Sequence, residues 1–248
     1  MARRLVLLAI ALATSARAWA DVTDRQSRVV PLGSDGHVRV EATIADVHIT
    51  GWDRPEVAIE IVRRAPRTER LLQLPIDIDT STPDTLHIRA VQAGDGRDPA
   101  VAAAITLKVP RTVHVDEIVV FEGTVLLEHL TGAVRANLAR GPIVASDLSG
   151  HVRLETTIGR IDVKRADLRP DGFVKLRTFN GAVTLELARV PRDARITALA
   201  LDGLISSDIP LRRQERWGPR FAETSLGRGE PVLAIETTAG DITITVRK

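Results

Sequence analysis

The stretch GTVLLEHLT-GAVRANLAR-GPIVASDLS-GHVRLETTI-GRIDV, from Gly123 to Val163, decides the fold of this chain. A glycine recurs at every ninth residue, and a β-branched residue stands two places after each glycine. A further apolar residue follows two places later, so each unit alternates its side chains as a half-buried strand does. The repeated pairs are Val125 and Leu127, Val134 and Ala136, Ile143 and Ala145, Val152 and Leu154, and Ile161 and Val163.

The nine-residue unit suits one short strand followed by a turn. Five residues of strand span about 17 Å, and glycine lets the chain turn or approach another backbone closely at the corner. One such unit cannot bury its own apolar face, so neighbouring units have to stack into a common core. The sequence therefore predicts an all-β, single-domain stack of the β-solenoid type.

A β-sandwich or an antiparallel meander is the alternative architecture. A meander of tight hairpins prefers Asn-Gly or Asp-Gly turns. Only Asp171 and Asn180 precede a repeat glycine in that way, so the turn residues favour the solenoid.

A solenoid with odd and even repeats on two walls makes a specific prediction about outward side chains. Those at equivalent places should form ladders, with Glu128, Ser146 and Lys164 on one wall and Asn137 and Glu155 on the other. The mixture of charged and polar residues is typical of a solvated surface rather than of a catalytic cluster.

The same rhythm extends beyond the central block. It first appears at Gly36, and Ala45 occupies the next glycine place. After Gly159, four extra residues within 167–171 move the next glycine of the repeat from position 168 to Gly172. Residues 210–229 break the pattern and read as an Arg-rich loop, with a short helix around Arg212 to Arg216 as an option. Because loops carry function more often than frameworks do, this segment is the first candidate for binding.

The N-terminus predicts export. Residues 1–20 combine Arg3 and Arg4, a short apolar run and an Ala-Trp-Ala cleavage motif that ends at Ala20, which is typical of a signal peptide. The apolar run is shorter than the ~20 residues of a spanning helix. We therefore expect residues 21–35 to form a leader or edge segment and residues 36–248 to form the repeat domain, in the periplasm, in the cell envelope or outside the cell.

Composition excludes several functions. The net charge of +2 includes three arginines within residues 1–20, and without them 31 basic residues face 32 acidic ones, so charge gives no support for nucleic-acid binding. Cysteine is absent, which excludes disulfides, a thiol nucleophile and cysteine-ligated zinc. No Tyr and only three Trp and four Phe are present, which disfavours an aromatic-rich sugar cleft.

The sequence contains no recognisable catalytic or cofactor motif. The six histidines show no metal-ligand spacing, and no phosphate-binding or dinucleotide-binding glycine pattern occurs. We therefore expect no catalytic residue, no metal site and no cofactor. His37, His48 and His151 alternate with inward residues or adjoin a glycine, so they should point outward.

Several motifs resemble a known family. Gly-His-Val-Arg-Val at 36–40, Leu-Lys-Val-Pro at 107–110, the central glycine block, Thr-Phe-Asn-Gly-Ala-Val at 178–183 and Thr-Thr-Ala-Gly-Asp-Ile at 237–242 are similar to the exported bacterial β-strand-repeat family labelled "putative adhesin" or domain of unknown function. The resemblance covers most of residues 36–248. It implies a right-handed β-helix-like fold in the cell envelope and assigns no catalytic residue.

Together these features predict an exported binding or structural module of the cell envelope. Its partner would be an envelope polymer, a membrane component or a protein, and its strand edges offer sites for self-association. The alternative is a glycosidase or lyase acting on a polysaccharide, which requires paired carboxylates. The candidate binding residues are Arg212, Arg213, Arg216, Trp217 and Arg220.

Overall fold

The structure, a computed structural model, describes residues 21–94, 97–213 and 220–247, and these residues fold almost entirely into β-strands. The first sheet contains, in spatial order, β1 (Val22–Pro31), β3 (Glu56–Ala65), β6 (Ala102–Pro110), β2 (His37–Trp52), β8 (Val125–Glu128), β10 (Ile143–Ser146), β12 (Ile161–Ala166), β14 (Val183–Leu187), β20 (Ile242–Val246) and β16 (Ile205–Ser207). The predicted all-β class is confirmed.

The second sheet contains the remaining strands. Its spatial order is β4 (Asp77–Asp79), β5 (Thr85–Ala90), β2, β7 (His114–Glu122), β9 (Val134–Arg140), β11 (His151–Ile158), β13 (Phe173–Asn180), β19 (Val232–Ala239), β15 (Ala194–Asp202), β18 (Phe221–Leu226) and β17 (Arg212–Arg213). The sixteen-residue strand β2 joins the two sheets, since its first half pairs in the second sheet and its second half in the first.

Most strand pairs are parallel, and in the central block each strand pairs with the strand two places along the chain. Ile143 lies between Val125 and Ile161, each eighteen residues away, in the first sheet. Val152 lies beside Val134 in the second. The meander alternative is wrong for this block, because a meander pairs consecutive strands in antiparallel fashion.

The inward positions predicted from the repeat form the core. The β-branched residues that follow the five glycines are at most 2% exposed, and they belong to one continuous apolar cluster with the inward residues of both sheets; they are Val125, Val134, Ile143, Val152 and Ile161. Each β-branched residue lies opposite its equivalent in the next strand of the same sheet. Period-2 alternation therefore buries one face of each strand of the central block in this shared core.

Alternate glycines form a column at one corner. A Cβ added to Gly141 would lie 1.8 Å from the carbonyl oxygen of Gly123, and the φ of Gly141 is +129°, a conformation that side-chain-bearing residues rarely adopt. Gly159 stands in the same relation to Gly141. The column begins at Ala45, whose carbonyl faces Gly123, so Ala45 does occupy a glycine place of the repeat.

The four extra residues around Pro170 lengthen one connection, and the β12–β14 register shifts once, between Val163 and Ala166. Val152 pairs with Val174 and Ile161 pairs with Val183, both twenty-two residues apart instead of eighteen. The surplus residues lie between β12 and β13, outside both sheets. One short helix, α1 (Thr68–Leu71), follows β3, and no helix in the described ranges has the length and apolar character needed to cross a membrane.

Candidate functional site: a groove on the second sheet

The outward faces of the strands carry the predicted ladders. Ser146 pairs with Glu128 on one side and Lys164 on the other in the first sheet. Glu155 pairs with Asn137 in the second. The predicted ladders are therefore confirmed, because the residues of each ladder are in register on adjacent strands. The two ladders lie on the outer faces of different sheets.

A groove of about 770 Å³ crosses the outer face of the second sheet. Its lining includes the small residues Ala139 and Thr157 on neighbouring strands, with Phe121 on the strand to one side of them and Phe179 on the strand to the other. The pairing of the flanking residues places these four side chains level with one another on β7, β9, β11 and β13. Three strand spacings, about 14 Å, separate the strands of the two phenylalanines.

Arginines surround the Phe121 end of the groove. The guanidinium carbon of Arg97 lies 3.5 Å from the centroid of the Phe121 ring, and that of Arg140 lies 5.7 Å from it. Both contacts fall within the range of a cation–π interaction. Neither arginine has a carboxylate within ion-pair distance in the part of the chain that the structure describes, so both guanidinium groups can still bind an anion.

Gln92 holds the segment that carries Arg97 against the sheet. Its side-chain nitrogen donates to the carbonyls of Asp98 and Val101 at 2.9 and 2.6 Å, and its side-chain oxygen accepts from the backbone N–H of Asp98 at 2.8 Å. Gln92 is only 8% exposed, and its own N–H donates to Thr43. This network fixes the rim of the groove next to Arg97.

Exposed apolar side chains line the groove towards both ends. Phe179 is 61% exposed although it lies on a long central strand. Towards the Phe121 end, Val119 on β7 and Val91 just after β5 are 40% and 43% exposed. Apolar side chains that share one groove are a feature of interaction sites, whereas isolated ones are ordinary.

The carboxylates of the groove are poorly placed for glycoside chemistry. Glu41 and Glu155 are the two acids in its lining, and three strand spacings, about 14 Å, separate their strands. Paired-acid hydrolysis requires carboxyl groups about 5–9.5 Å apart. Glu155 is also bound by Arg153 at 2.8 Å, which reduces its availability to a substrate.

The first sheet carries a separate column of charged side chains at a corner. His129, Asp147 and Arg165, each eighteen residues apart, all have left-handed backbones, with φ values of 57°, 54° and 53°. Asp147 accepts hydrogen bonds from Arg165 and lies 3.4 Å from Nδ1 of His129. Its hydrogen bond from Arg165 holds the pKa of Asp147 below the ordinary value, and partial burial opposes this effect.

The predicted binding residues lie elsewhere. Arg212 and Arg213 form the short strand β17 instead of a helix, and Arg220 lies in the turn before β18. Arg216 and Trp217, and the rest of the suggested helix after Arg213, lie outside the described residues. The segment 210–229 is only partly a loop, because it contains β17 and β18, and none of its described residues lines the groove.

The histidines make ordinary surface contacts. His37 and His151 are exposed and His48 is half-buried, which agrees with their predicted outward orientation. His37 contacts Asp116 at 2.9 Å and His48 contacts Glu128 at 2.8 Å. Over the described ranges, no cluster of three or more potential ligand side chains could hold a metal ion.

The groove was not predicted from the sequence. Phe121 and Phe179 are two of the four phenylalanines, and both occupy outward positions where the repeat places polar residues. An aromatic residue at an outward repeat position is the signal that could have identified them. Their position on one face was hidden by the 57 residues between them and by the insertion before β13.

The fold defines an all-β repeat protein with mostly parallel strand pairing, and comparison with solved structures agrees. A "putative cell adhesion protein" from Clostridium sporogenes ATCC 15579 is 11% identical, with a TM-score of 0.55 over 91% of this chain and 100% of that chain. The predicted resemblance to the "putative adhesin" family is therefore confirmed at the level of the fold.

Two further structures are similar over most of their length. A "putative adhesin" from Bacteroides fragilis NCTC 9343 is 12% identical with a TM-score of 0.32, covering 90% of this chain and 97% of that chain. A "putative adhesin" from Parabacteroides merdae ATCC 43184 is 10% identical with a TM-score of 0.36, covering 90% and 96%. No family model and no curated protein matches the chain.

Proposed function

We propose that this chain is an exported, adhesin-like binding module of the cell envelope, and that the groove between Phe121 and Phe179 is its contact surface. The observation that carries the proposal is the juxtaposition of exposed apolar side chains with the guanidinium groups of Arg97 and Arg140, which have no carboxylate partner among the described residues. The likeness in fold to the "putative cell adhesion protein" from Clostridium sporogenes supports it.

The architecture behind this surface is, in our proposal, a two-walled β-solenoid with the right-handed sense that the family resemblance implies. Parallel pairing at a separation of eighteen residues supports two strands per coil. Such a stack keeps the second sheet rigid, so Phe121, Arg140 and Phe179 are held in a fixed arrangement before a partner arrives. A preorganised surface loses less conformational entropy on binding.

The partner, an envelope polymer, membrane component or protein, would contact the groove with both apolar and anionic groups. Phe179 is suited to the apolar contact because most of its side chain is exposed in the free protein. Arg97 and Arg140 are suited to a carboxylate or phosphate, since a guanidinium binds such groups through two parallel hydrogen bonds.

Co-sedimentation with envelope fractions tests this function. Purified protein would be mixed with peptidoglycan, with outer-membrane vesicles and with whole-envelope preparations from a bacterium that encodes it, and the bound fraction measured. Phe179→Ser should weaken binding about fivefold or more, as expected for an exposed anchor residue. Leu204→Ser, at a residue that is 74% exposed and outside the groove lining, is the matched control.

The outcomes separate the alternatives. Loss of binding with Phe179→Ser and retention with Leu204→Ser would support the groove as the contact surface. No binding of the wild-type protein to any fraction would contradict the adhesin-like function. Release of soluble sugars from a fraction would instead favour the polysaccharide-acting enzyme.

A further inference from the structure

The open edges of the two sheets are very unequal in length. Among the described residues, the first sheet ends at β1 and β16 and the second ends at β4 and β17. Three of these edge strands are two or three residues long, which limits unwanted pairing. β1 has ten residues and a single partner, β3, so one whole side of its backbone is open.

The sequence of β1 is complementary to itself when read in the antiparallel direction. With Gln26 opposite Gln26 of a second copy, Asp24 lies opposite Arg28 and this pair occurs twice. Val22 then faces Val30, Thr23 faces Val29 and Arg25 faces Ser27, so nine consecutive residues are matched. We propose that the protein dimerises by pairing β1 with β1 of a second copy, with Gln26 on the two-fold axis.

The charge on Arg28 supports this register. Arg28 is exposed, lies on the same face of β1 as the buried Val30, and has no ion-pair partner within the described residues. A charge in this position disfavours the addition of an unrelated strand. A second copy in the proposed register supplies the missing counter-charge through its Asp24, which in the free chain is bound by Arg63.

Other same-face registers fit less well. A shift of two residues in one direction places Arg25 opposite Arg25 of the second copy, and like charges directly opposite each other are destabilising. The same shift in the other direction places Asp24 opposite Val30 and removes both charge pairs. The charge pattern therefore favours one register of β1 against β1 of the second copy. Opposite charges stabilise that register, and like charges or lost charge pairs disfavour the others.

The proposed pairing also covers exposed apolar surface. Val29, 60% exposed in the free chain, would lie beside Thr23 of the second copy. β6, β3 and β1 would continue into the same strands of the partner as one sheet across the two-fold axis. A contact of a single strand pair is small, so we expect a dimer that dissociates on dilution.

Cysteine cross-linking tests the register, because the chain has no cysteine of its own. In Gln26→Cys, the two thiols would sit directly opposite each other with Cα atoms about 4.5–5.5 Å apart, a separation that a disulfide spans. In the control Ser27→Cys, the two cysteines would be diagonal neighbours about 7–8 Å apart. Mild oxidation should convert Gln26→Cys to a covalent dimer at least about tenfold faster than Ser27→Cys, since only the former fits disulfide geometry.

Sedimentation velocity tests whether the contact forms without cross-linking. The mass of the wild-type protein should rise from monomer towards dimer between about 1 and 200 µM, as expected for a small interface. Arg28→Asp should remain monomeric, because it places two acids opposite each other. Arg195→Asp, the same change at an exposed residue of β15, should dimerise as the wild type does. A monomeric wild type, or equal oxidation rates for the two cysteine variants, would overturn the proposal.

Discussion

Thr178 donates a hydrogen bond from its hydroxyl to the carbonyl oxygen of Gly159 at 2.9 Å, across the corner where one strand ends and the next begins. Thr178 is 2% exposed, so the bond is buried. The same bond recurs on the neighbouring strands, from Thr156 to Gly141 at 3.2 Å and from Thr237 to Gly181 at 3.0 Å. Each threonine precedes a repeat glycine by three residues, so the carbonyls of Gly141, Gly159 and Gly181 in the corner column each accept a hydroxyl hydrogen bond.

The Thr178 bond should be measurable in the stability of the protein. Thr178→Val keeps the size of the side chain and leaves the Gly159 carbonyl without its hydroxyl partner, so we expect the free energy of unfolding to fall by about 1–2 kcal/mol. Thr184→Val is the control, since Thr184 lies half-buried on the outer face of β14 and makes no side-chain hydrogen bond within the described residues. Equal urea midpoints for the two variants would contradict this role.

Close approach at the glycine column predicts a severe effect of Gly141→Ala. Its Cβ would overlap the carbonyl oxygen of Gly123, and the positive φ adds backbone strain, so we expect a loss of about 3 kcal/mol or more, or failure to fold. At Gly33 the nearest atom to an added Cβ is 3.5 Å away, and Gly33→Ala should change stability by about 0.5 kcal/mol or less. Thermal unfolding of the two variants compares them directly, and a Gly141→Ala protein as stable as Gly33→Ala would exclude the tight column.

The corner charge column predicts a pH dependence. Because Arg165 lowers the pKa of Asp147 in the folded state, the stabilisation by this carboxylate is present above its unfolded pKa of about 3.9 and is lost as the pH falls through the lower folded value. Asp147→Asn keeps a residue that tolerates the left-handed backbone and removes the charge. We expect it to cost about 0.5–1 kcal/mol at pH 7.

Chemical denaturation at two pH values checks this prediction. The difference in unfolding free energy between wild type and Asp147→Asn should shrink as the pH is taken from 7 down through the lowered pKa of Asp147, where the carboxylate takes up its proton. A difference that is the same at both pH values would show that Asp147 acts through something other than its charge.

The predicted signal peptide implies that the exported protein has a specific N-terminal residue. When the full-length protein is produced in a bacterial host with an intact secretion pathway, the recovered protein should begin at Asp21, because Ala18-Trp19-Ala20 is the small-residue motif that signal peptidase cleaves. Intact-mass measurement of the periplasmic fraction tests this. Recovery of the chain with residues 1–20 still attached would contradict the signal-peptide prediction.

The sequence predicted the repeating part of the fold because glycine spacing and side-chain alternation are local. The burial of Val125 and Ile143 and the ladder from Glu128 to Lys164 follow from the nine-residue period alone. The connections were not predictable in the same way. β19 lies between β13 and β15. Its apolar pattern would fit beside either strand and no period specifies the strand order, so this position could not be predicted.

The candidate site was predicted poorly for a related reason. Arg212 and Arg213 were chosen because a break in the rhythm indicates a loop, yet the groove lies on the most regular part of the second sheet. Phe121 and Phe179 line the same groove only because strand pairing places distant repeats side by side. A site built from outward residues of several strands is visible once the strand order is known.

The central claim is that residues eighteen apart are direct neighbours on one wall of a stack. The most direct measurement is disulfide formation in the double variant Ser146→Cys/Lys164→Cys, whose Cα atoms should be about 4.8 Å apart as in-register partners on adjacent strands. The account predicts rapid loss of both free thiols within one chain on mild oxidation, and none in Ser146→Cys/Asp162→Cys, where the cysteines are two residues out of register. Persistent free thiols in the first variant, or equal oxidation in both, would contradict the stacked arrangement.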